Sequence, residues 1–268
     1  MMASYRYGEM TWPQIKEAAD AGKLAVLPVA TIEDHGLHLP VDTDIRLCYA
    51  VCERAVAQAQ DRAVLIPPII HGYSPHHMDF PGPITINAQT FISYGVDVCK
   101  SLAAHGFKRM LIVNGHGSNT PFVDIIARLT VVETGALAAA VNYWAAPGVR
   151  EVAESLRESE KVGGMDHACE FETSIYLALR PDLVDMSKAV HELSYEPTKN
   201  YWTDLVAGDG PLMMMEHWSA LSKSGVMGDP TKATAQKGER LLDAAAKGIV
   251  ELIDELRARR AAVRRDHH

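Results

Sequence analysis

The sequence predicts an α/β fold, a largely parallel sheet covered by helices on both faces. Apolar runs of strand length occur along the chain, and longer segments of helical period separate them. That alternation is the pattern of strands joined by crossover helices. The third observation is length: 268 residues can bury one large core, so residues 1–268 are read as a single domain.

Element by element, "KLAVLPVATI" reads as the first strand. "DTDIRLCYAVCERAVAQA" follows as a helix with Asp42 or Thr43 as its cap and Ile45, Cys48, Val51, Cys52, Ala55 and Val56 on its apolar face. "AVLIPPII" is the second strand. After the turn-rich "HGYSPHHMDFPGP" comes a helix, "AQTFISYGVDVCKSLAAH", which Gly106 can end in a left-handed conformation. "RMLIVNG" is a buried strand, followed by a turn and a helix that Pro121 is suited to begin. "ALAAAVNYW" is the next strand, carrying Trp144, and "HACEFETSIYLAL" the next helix. "DPTKATAQKGERLLDAAAKGIVELIDELRARRA" is a long closing helix capped by Asp229 with Pro230 in its first position. Residues 187–228 fit no element. An irregular stretch of that length inside a compact fold often covers a site, and its "MMM" is read as packing.

Composition narrows the function. An apolar fraction of 47% with 22% charged residues describes a soluble globular protein. A net charge of -8 argues against nucleic acid as a partner. No apolar run reaches the length of a membrane span and no secretory signal opens the chain, so a cytoplasmic location is expected. Cys48, Cys52, Cys99 and Cys169 lack the spacing of a zinc finger or a disulfide framework and are read as buried free thiols.

Three clusters carry chemistry. "TIEDHGLHLPVDTD" sets Glu33, His35, His38 and Asp44 at the carboxyl end of a strand, where the functional groups of an open α/β sheet gather. Glu33 and His35 alternate, which puts them on one side of an extended segment. Asp44 equally fits a plain helix-capping role. "VNGHGSN" leaves another strand end, and His116 serves there either as a site residue or as a loop histidine bonded to its own backbone. In "DHACEFETS", His167 and Glu170 are three apart and share a helical face, whereas Glu172 points elsewhere. That pair is either a surface feature or a partly buried one in need of a partner such as a metal. Carboxylates and imidazoles without an ordered cysteine set suit zinc, manganese or iron(II).

These residues resemble a known family. "EDHGLHLPVDTD", "VNGHGSN" and "HACEFETS" are similar, in order and spacing, to the three signatures of the creatininase (creatinine amidohydrolase) family. "GYSPHHMDFPGPITI" and "GDPTKATAQKGE" resemble its intervening and C-terminal patterns. The resemblance implies a three-layer α/β/α domain, commonly a homohexamer, with two divalent metal ions at the carboxyl end of the sheet. Carried over by motif, Glu33 and His116 resemble ligands of one ion, His35 of the other, and Asp44 the bridge. His167 resembles the residue that moves protons during hydrolysis, and His38 stands beside the ligands. Creatininase proper has a glutamate two residues after the histidine of the second motif, bound to the second metal, where this chain has Ser118. Many relatives with the plain turn carry a glutamate at the place of Glu170, so Glu170 is expected to supply that ligand and to join His167 in catalysis.

The expected function is metal-dependent hydrolysis of a small, polar, cyclic substrate at a carbon–nitrogen bond. The tryptophans that enclose creatinine precede the family's third motif, and "ESEKVGGMDHACE" holds none, which turns the expectation away from creatinine. Two alternatives stand beside it. One is carbon–carbon hydrolysis of an inositol-derived cyclic ketone such as 3-dehydro-scyllo-inosose, with His71, His76 and His77 available to a hydroxyl-rich ligand. The other is a non-catalytic metal- or ligand-binding protein.

Overall fold

The structure, a computed structural model, describes residues 4–259 and 265–268. Helix α1 (Trp12–Asp20) leads into strand β1 (Leu24–Val29), then α2 (Thr43–Gln58) and β2 (Ala63–Leu65). Next come α3 (Ala88–Ala104), β3 (Arg109–Asn114), α4 (Thr120–Thr134) and β4 (Leu137–Asn142). The C-terminal part holds α5 (Val149–Leu156), β5 (Met165–His167), α6 (Glu170–Leu179), α7 (Trp218–Leu221), β6 (Met227–Gly228) and α8 (Ala235–Ala258). The sheet order is β2-β1-β3-β4, parallel throughout, while β5 and β6 pair antiparallel apart from it.

Alternation along the strands divides the core into two layers. Leu24, Val26, Leu111 and Val113 face a cluster shared with α2, α5, α6 and α8. Ala25, Leu27, Val29, Met110 and Ile112 face the cluster of α1, α3 and α4. The expected α/β fold, with helices on both faces of a mostly parallel sheet, is what the chain adopts. Cys48, Cys52, Cys99 and Cys169 are buried and free, as expected.

Several local expectations differ from the structure. β2 ends at Leu65, before Pro67 and Pro68, which have no N–H to give the sheet. Trp144 is buried in the 3-10 turn Tyr143–Ala145 beyond β4, not on the strand. The closing helix does not begin at Pro230. Asp229 caps a separate 3-10 turn, Pro230–Lys232, and α8 starts after Thr234, whose side chain accepts from Lys237 N–H at 3.2 Å. Residues 260 and 261 of the expected helix lie outside the described residues. α1 was legible yet unassigned: Gln14 accepts from Thr11 N–H at 2.8 Å, the second half of a T-x-x-Q capping pattern.

The segment from 187 to 226 forms a strap with one short helix, α7. Its methionines are not packing residues, since Met213 is 91% exposed and Met214 and Met215 about half. Glu192 closes the strap on itself: its carboxylate accepts from Lys223 N–H at 2.8 Å, from Ser224 N–H at 3.0 Å and from the Ser224 hydroxyl. Burial opposes ionisation there, but the bonds from Ser224, Lys223 and Ser194 outweigh it and hold the carboxyl at about 2. A depressed carboxyl stabilises the fold fully above its unfolded value of 4.5 and ceases to do so as pH falls toward 2. Glu192→Gln is therefore expected to be less stable than the parent at pH 7, with the gap closing between 4.5 and 2. Paired denaturant titrations across that range measure it; a gap independent of pH would deny Glu192 the role.

Candidate metal centre and active site

Three strand exits converge on one buried cluster. After β1 the chain runs through the first motif, where Glu33, His35 and Asp44 are all buried, with Asp44 in the first turn of α2. After β3 comes the second motif. A side chain at Gly115 would bring its Cβ within 2.5 Å of Cys48 Cβ and 2.9 Å of the Asp44 carbonyl oxygen. Only glycine permits that approach, and it brings His116 against α2.

Asp44 is shared. Its Oδ1 lies 3.1 Å from His35 Nε2 and its Oδ2 lies 3.0 Å from His116 Nδ1. On the His116 side, Glu33 Oε2 lies 3.3 Å from the same nitrogen and accepts from Ser74 Oγ at 2.5 Å. On the His35 side, Glu172 Oε1 lies 3.6 Å from His35 Nε2. Both imidazoles have their remaining nitrogen next to a backbone oxygen: His116 Nε2 donates to Tyr73 O at 3.2 Å, and His35 Nδ1 faces Glu33 O at 3.5 Å. That leaves His116 Nδ1 and His35 Nε2 turned to the carboxylates, the arrangement of metal-binding histidines.

The structure does not bring Glu170 to this cluster, which corrects the expectation for it. Its carboxylate accepts from Glu158 N–H at 3.1 Å, from Ser159 N–H at 2.9 Å and from Lys237 Nζ at 2.5 Å. The cause is helix phase. His167 ends β5, Ala168 turns the chain with φ +50°, and α6 begins only at Glu170, so the three-residue helical spacing from His167 does not apply. Glu170 and Glu172 are then about 200° apart around α6. Glu172 takes the position that sequence reasoning gave to Glu170. The break between β5 and α6 was the missing signal, and "MDHA" offers no glycine or proline to mark it.

His167 Nε2 donates to the Asp34 carbonyl at 2.8 Å, leaving Nδ1 as a lone pair 3.7 Å from Glu33 Oε1. Its ring centroid lies 4.3 Å from that of His35. Burial, then repulsion from His35 and His77, lowers its pKa to about 4, so the ring is neutral. His116 behaves oppositely: burial disfavours its charge, but Glu33 and Asp44 outweigh that and raise it to about 10. His35 is raised for the same reason by Asp44 and Glu172. His38 is buried beside the cluster with Nε2 bonded to Thr173 Oγ1 at 2.9 Å.

Two further groups join the site: His77, named from the sequence only as available to a hydroxyl-rich ligand, and Trp218, which was missed. His77, buried, lies with Nδ1 2.7 Å from Asp34 Oδ1 and Nε2 3.7 Å from Glu33 Oε1. Trp218 comes from the strap, stacks on His77 at 4.7 Å and 22°, and meets His167 edge-on at 4.8 Å. Ser219 Oγ donates to Asp79, and a Cβ at Gly225 (φ +83°) would fall 2.6 Å from Asp34 Oδ2, so the strap sits directly on the first motif. The irregular segment thus covers the site. His76 and His77, named in the sequence as available to a hydroxyl-rich ligand, are both buried.

The donor set fits divalent metal. Glu33, His35 and Asp44 each offer an atom within 4.8 Å of the others, as do His35, His167 and Glu172, and Glu33, His77 and His167. His35 Nε2 and Asp44 Oδ2 are buried without a hydrogen-bond partner. Among the described residues no lysine or arginine pairs with Glu33, Asp34, Asp44 or Glu172, so the cluster's countercharge comes from histidine alone. Buried carboxylates in that state are partnered by cations or metals.

Comparison with known proteins gives the family. The creatininase model, described as creatinine amidohydrolase, matches residues 8–253. The chain belongs to the creatininase family. It is a hydrolase of that family, 27% identical over 270 residues to creatinine amidohydrolase of Pseudomonas putida, covering 95% of this chain and 98% of the relative. It is 32% identical to a mycofactocin precursor peptide peptidase of Mycolicibacterium smegmatis, covering 86% and 84%. It is 26% identical to 3-dehydro-scyllo-inosose hydrolase of Thermotoga maritima, covering 93% and 83%. A manganese form of creatininase superposes with a TM-score of 0.80 at 27% identity, covering 94% of this chain and 98% of that one. A zinc–zinc form of a creatininase mutant gives 0.79 with the same identity and coverage. No helix among the described residues is long and apolar enough to cross a membrane.

Proposed function

We propose that the chain is a two-metal hydrolase that opens a carbon–nitrogen bond in a small polar substrate. The observation that carries this is Asp44, whose two oxygens face two separate imidazoles in a buried cluster without a protein cation other than histidine. In this reading Glu33, His116 and Asp44 hold one ion, and His35, Glu172 and Asp44 hold the other. Zinc, manganese and iron(II) all accept such ligands. The ions would supply an activated water at neutral pH and polarise the substrate carbonyl.

The remaining chemistry belongs to the chain. His167, neutral and fixed by the Asp34 carbonyl, accepts a proton at Nδ1 and returns it to the leaving nitrogen. Trp218 roofs His77 and His167 and keeps bulk water from the reacting groups. An amidohydrolase and a peptidase among the relatives support carbon–nitrogen cleavage. The inosose hydrolase supports carbon–carbon cleavage of a cyclic ketone as a second reading, favoured by the neutral polar pair Ser118 and His76 beside the cluster.

Mass spectrometry of the metal-loaded protein with creatinine, other cyclic amides, formamides and inositol-derived cyclic ketones separates the two. Addition of water to an amide is expected; addition to a ketone alone would refute the first reading.

The two glutamates of α6 separate the ligand role from the structural one. Glu172→Gln is expected to lose metal and activity, and to melt like the parent once both are stripped of metal. Glu170→Gln is expected to keep metal and lose roughly 1 kcal/mol or more of stability, because it removes the charge at the buried end of the pair while Lys237 keeps the exposed Glu158 carboxylate and the Lys232 carbonyl. Metal analysis and melting of both variants measure this, and the reverse pattern would return Glu170 to the ligand set.

A further inference from the structure

We propose that Ser118 and His76 together select the substrate by donating one hydrogen bond to a neutral oxygen, a hydroxyl or carbonyl, away from the bond that breaks. The proposal rests on the hydrolytic reading above. Ser118 Oγ lies 3.0 Å from His76 Nε2. His76 is 6% exposed, and its Nδ1 is buried without a hydrogen-bond partner.

Counting hydrogens shows what the pair lacks. A neutral imidazole carries one N–H and serine one O–H, and their mutual bond consumes one of the two. With the proton on Nε2, Ser118 accepts it, and the serine O–H has only the weak acceptor Met215 Sδ at 4.0 Å. With the proton on Nδ1, Ser118 donates to Nε2 and the Nδ1–H has no acceptor. In either tautomer one donor remains for a ligand oxygen: the half-buried Ser118 hydroxyl in the first, and in the second His76 Nδ1, which is buried, where donors rarely go without an acceptor.

Position and charge define that oxygen. The His76 ring lies 4.4 Å from His77 and 6.0 Å from His116 between centroids, one ring removed from the Glu33 and Asp44 carboxylates. The open donor therefore addresses the far side of a small molecule held at the cluster. Both members of the pair are uncharged donors, and among the described residues the basic groups paired with Glu33, Asp34, Asp44 and Asp79 are histidines, while the histidine next to Ser118 Oγ is His76. Trp218, 6.1 Å from His76, and Met215 add apolar walls, which favour a neutral group.

The test compares lactams that differ in one group: 2-pyrrolidinone, 4-hydroxy-2-pyrrolidinone and the carboxylate 5-oxoproline. Dissociation constants come from ligand-observed NMR on the metal-loaded protein. The hydroxylated lactam is expected to bind about tenfold tighter than the plain one, ~1.4 kcal/mol. Ser118→Ala should bring that ratio to near one, and Ser118→Thr, which keeps the hydroxyl, should retain it. His76→Phe should match Ser118→Ala and decides the matter if that variant does not fold. A ratio near one in the parent, a ratio unmoved by both variants, or tightest binding of 5-oxoproline overturns the proposal. The hydrolytic reading fails separately: the hydroxyl preference would persist in binding while no compound of any class is turned over.

Discussion

Asp44→Asn is expected to lower kcat/KM by about 10³-fold and to reduce bound metal. The substitution keeps the shape of the side chain and removes its charge, so an effect on packing alone would leave metal in place. Loss of a contact that merely supports a metal ligand costs roughly 10–100-fold. A carboxylate facing His35 on one side and His116 on the other should cost more, because two ligand sets depend on it. Metal analysis and steady-state kinetics on the same preparation measure both quantities. Full activity with normal metal content would reduce Asp44 to a helix-capping residue.

His167→Gln is expected to separate proton transfer from metal binding. Its kcat should fall by roughly 10²–10⁴-fold, the usual range for a lost general acid or base, while metal content stays at the parent level. Nδ1 is open to accept a proton because Nε2 is committed to the Asp34 carbonyl. Burial and the neighbouring histidines keep the ring neutral until pH falls to about 4, so the base form is present through the neutral range. Because His167 also lies within ligand distance of Glu172 and Glu33 groups, the metal measurement is decisive. Metal lost together with activity would make His167 a ligand and leave the proton without a carrier.

Much of this site was legible because strand ends and helix starts could be read. The apolar runs before Glu33 and His116 located both strand exits, and Asp44 followed from the start of α2. The resemblance assigned the missing ligand to Glu170, where the structure turns Glu172 to the cluster, since an acidic pair two residues apart is resolved only by the residue at which the helix begins. The extended backbone at His167 and the turn at Ala168 are tertiary choices, made where β5 pairs with β6 some 60 residues later in sequence. Trp218 was hidden for a related reason. The strap has no periodicity, and its closure on itself by Glu192 and its anchoring by Ser219 to Asp79 depend on contacts distant in the chain.

Metal removal and return test the central claim most directly. The protein is stripped with a chelator, dialysed, and assayed against the amide substrate found by mass spectrometry while zinc or manganese is added back. The account predicts no turnover in the stripped protein and recovery that saturates at two ions per chain. Undiminished turnover by the stripped protein would contradict it.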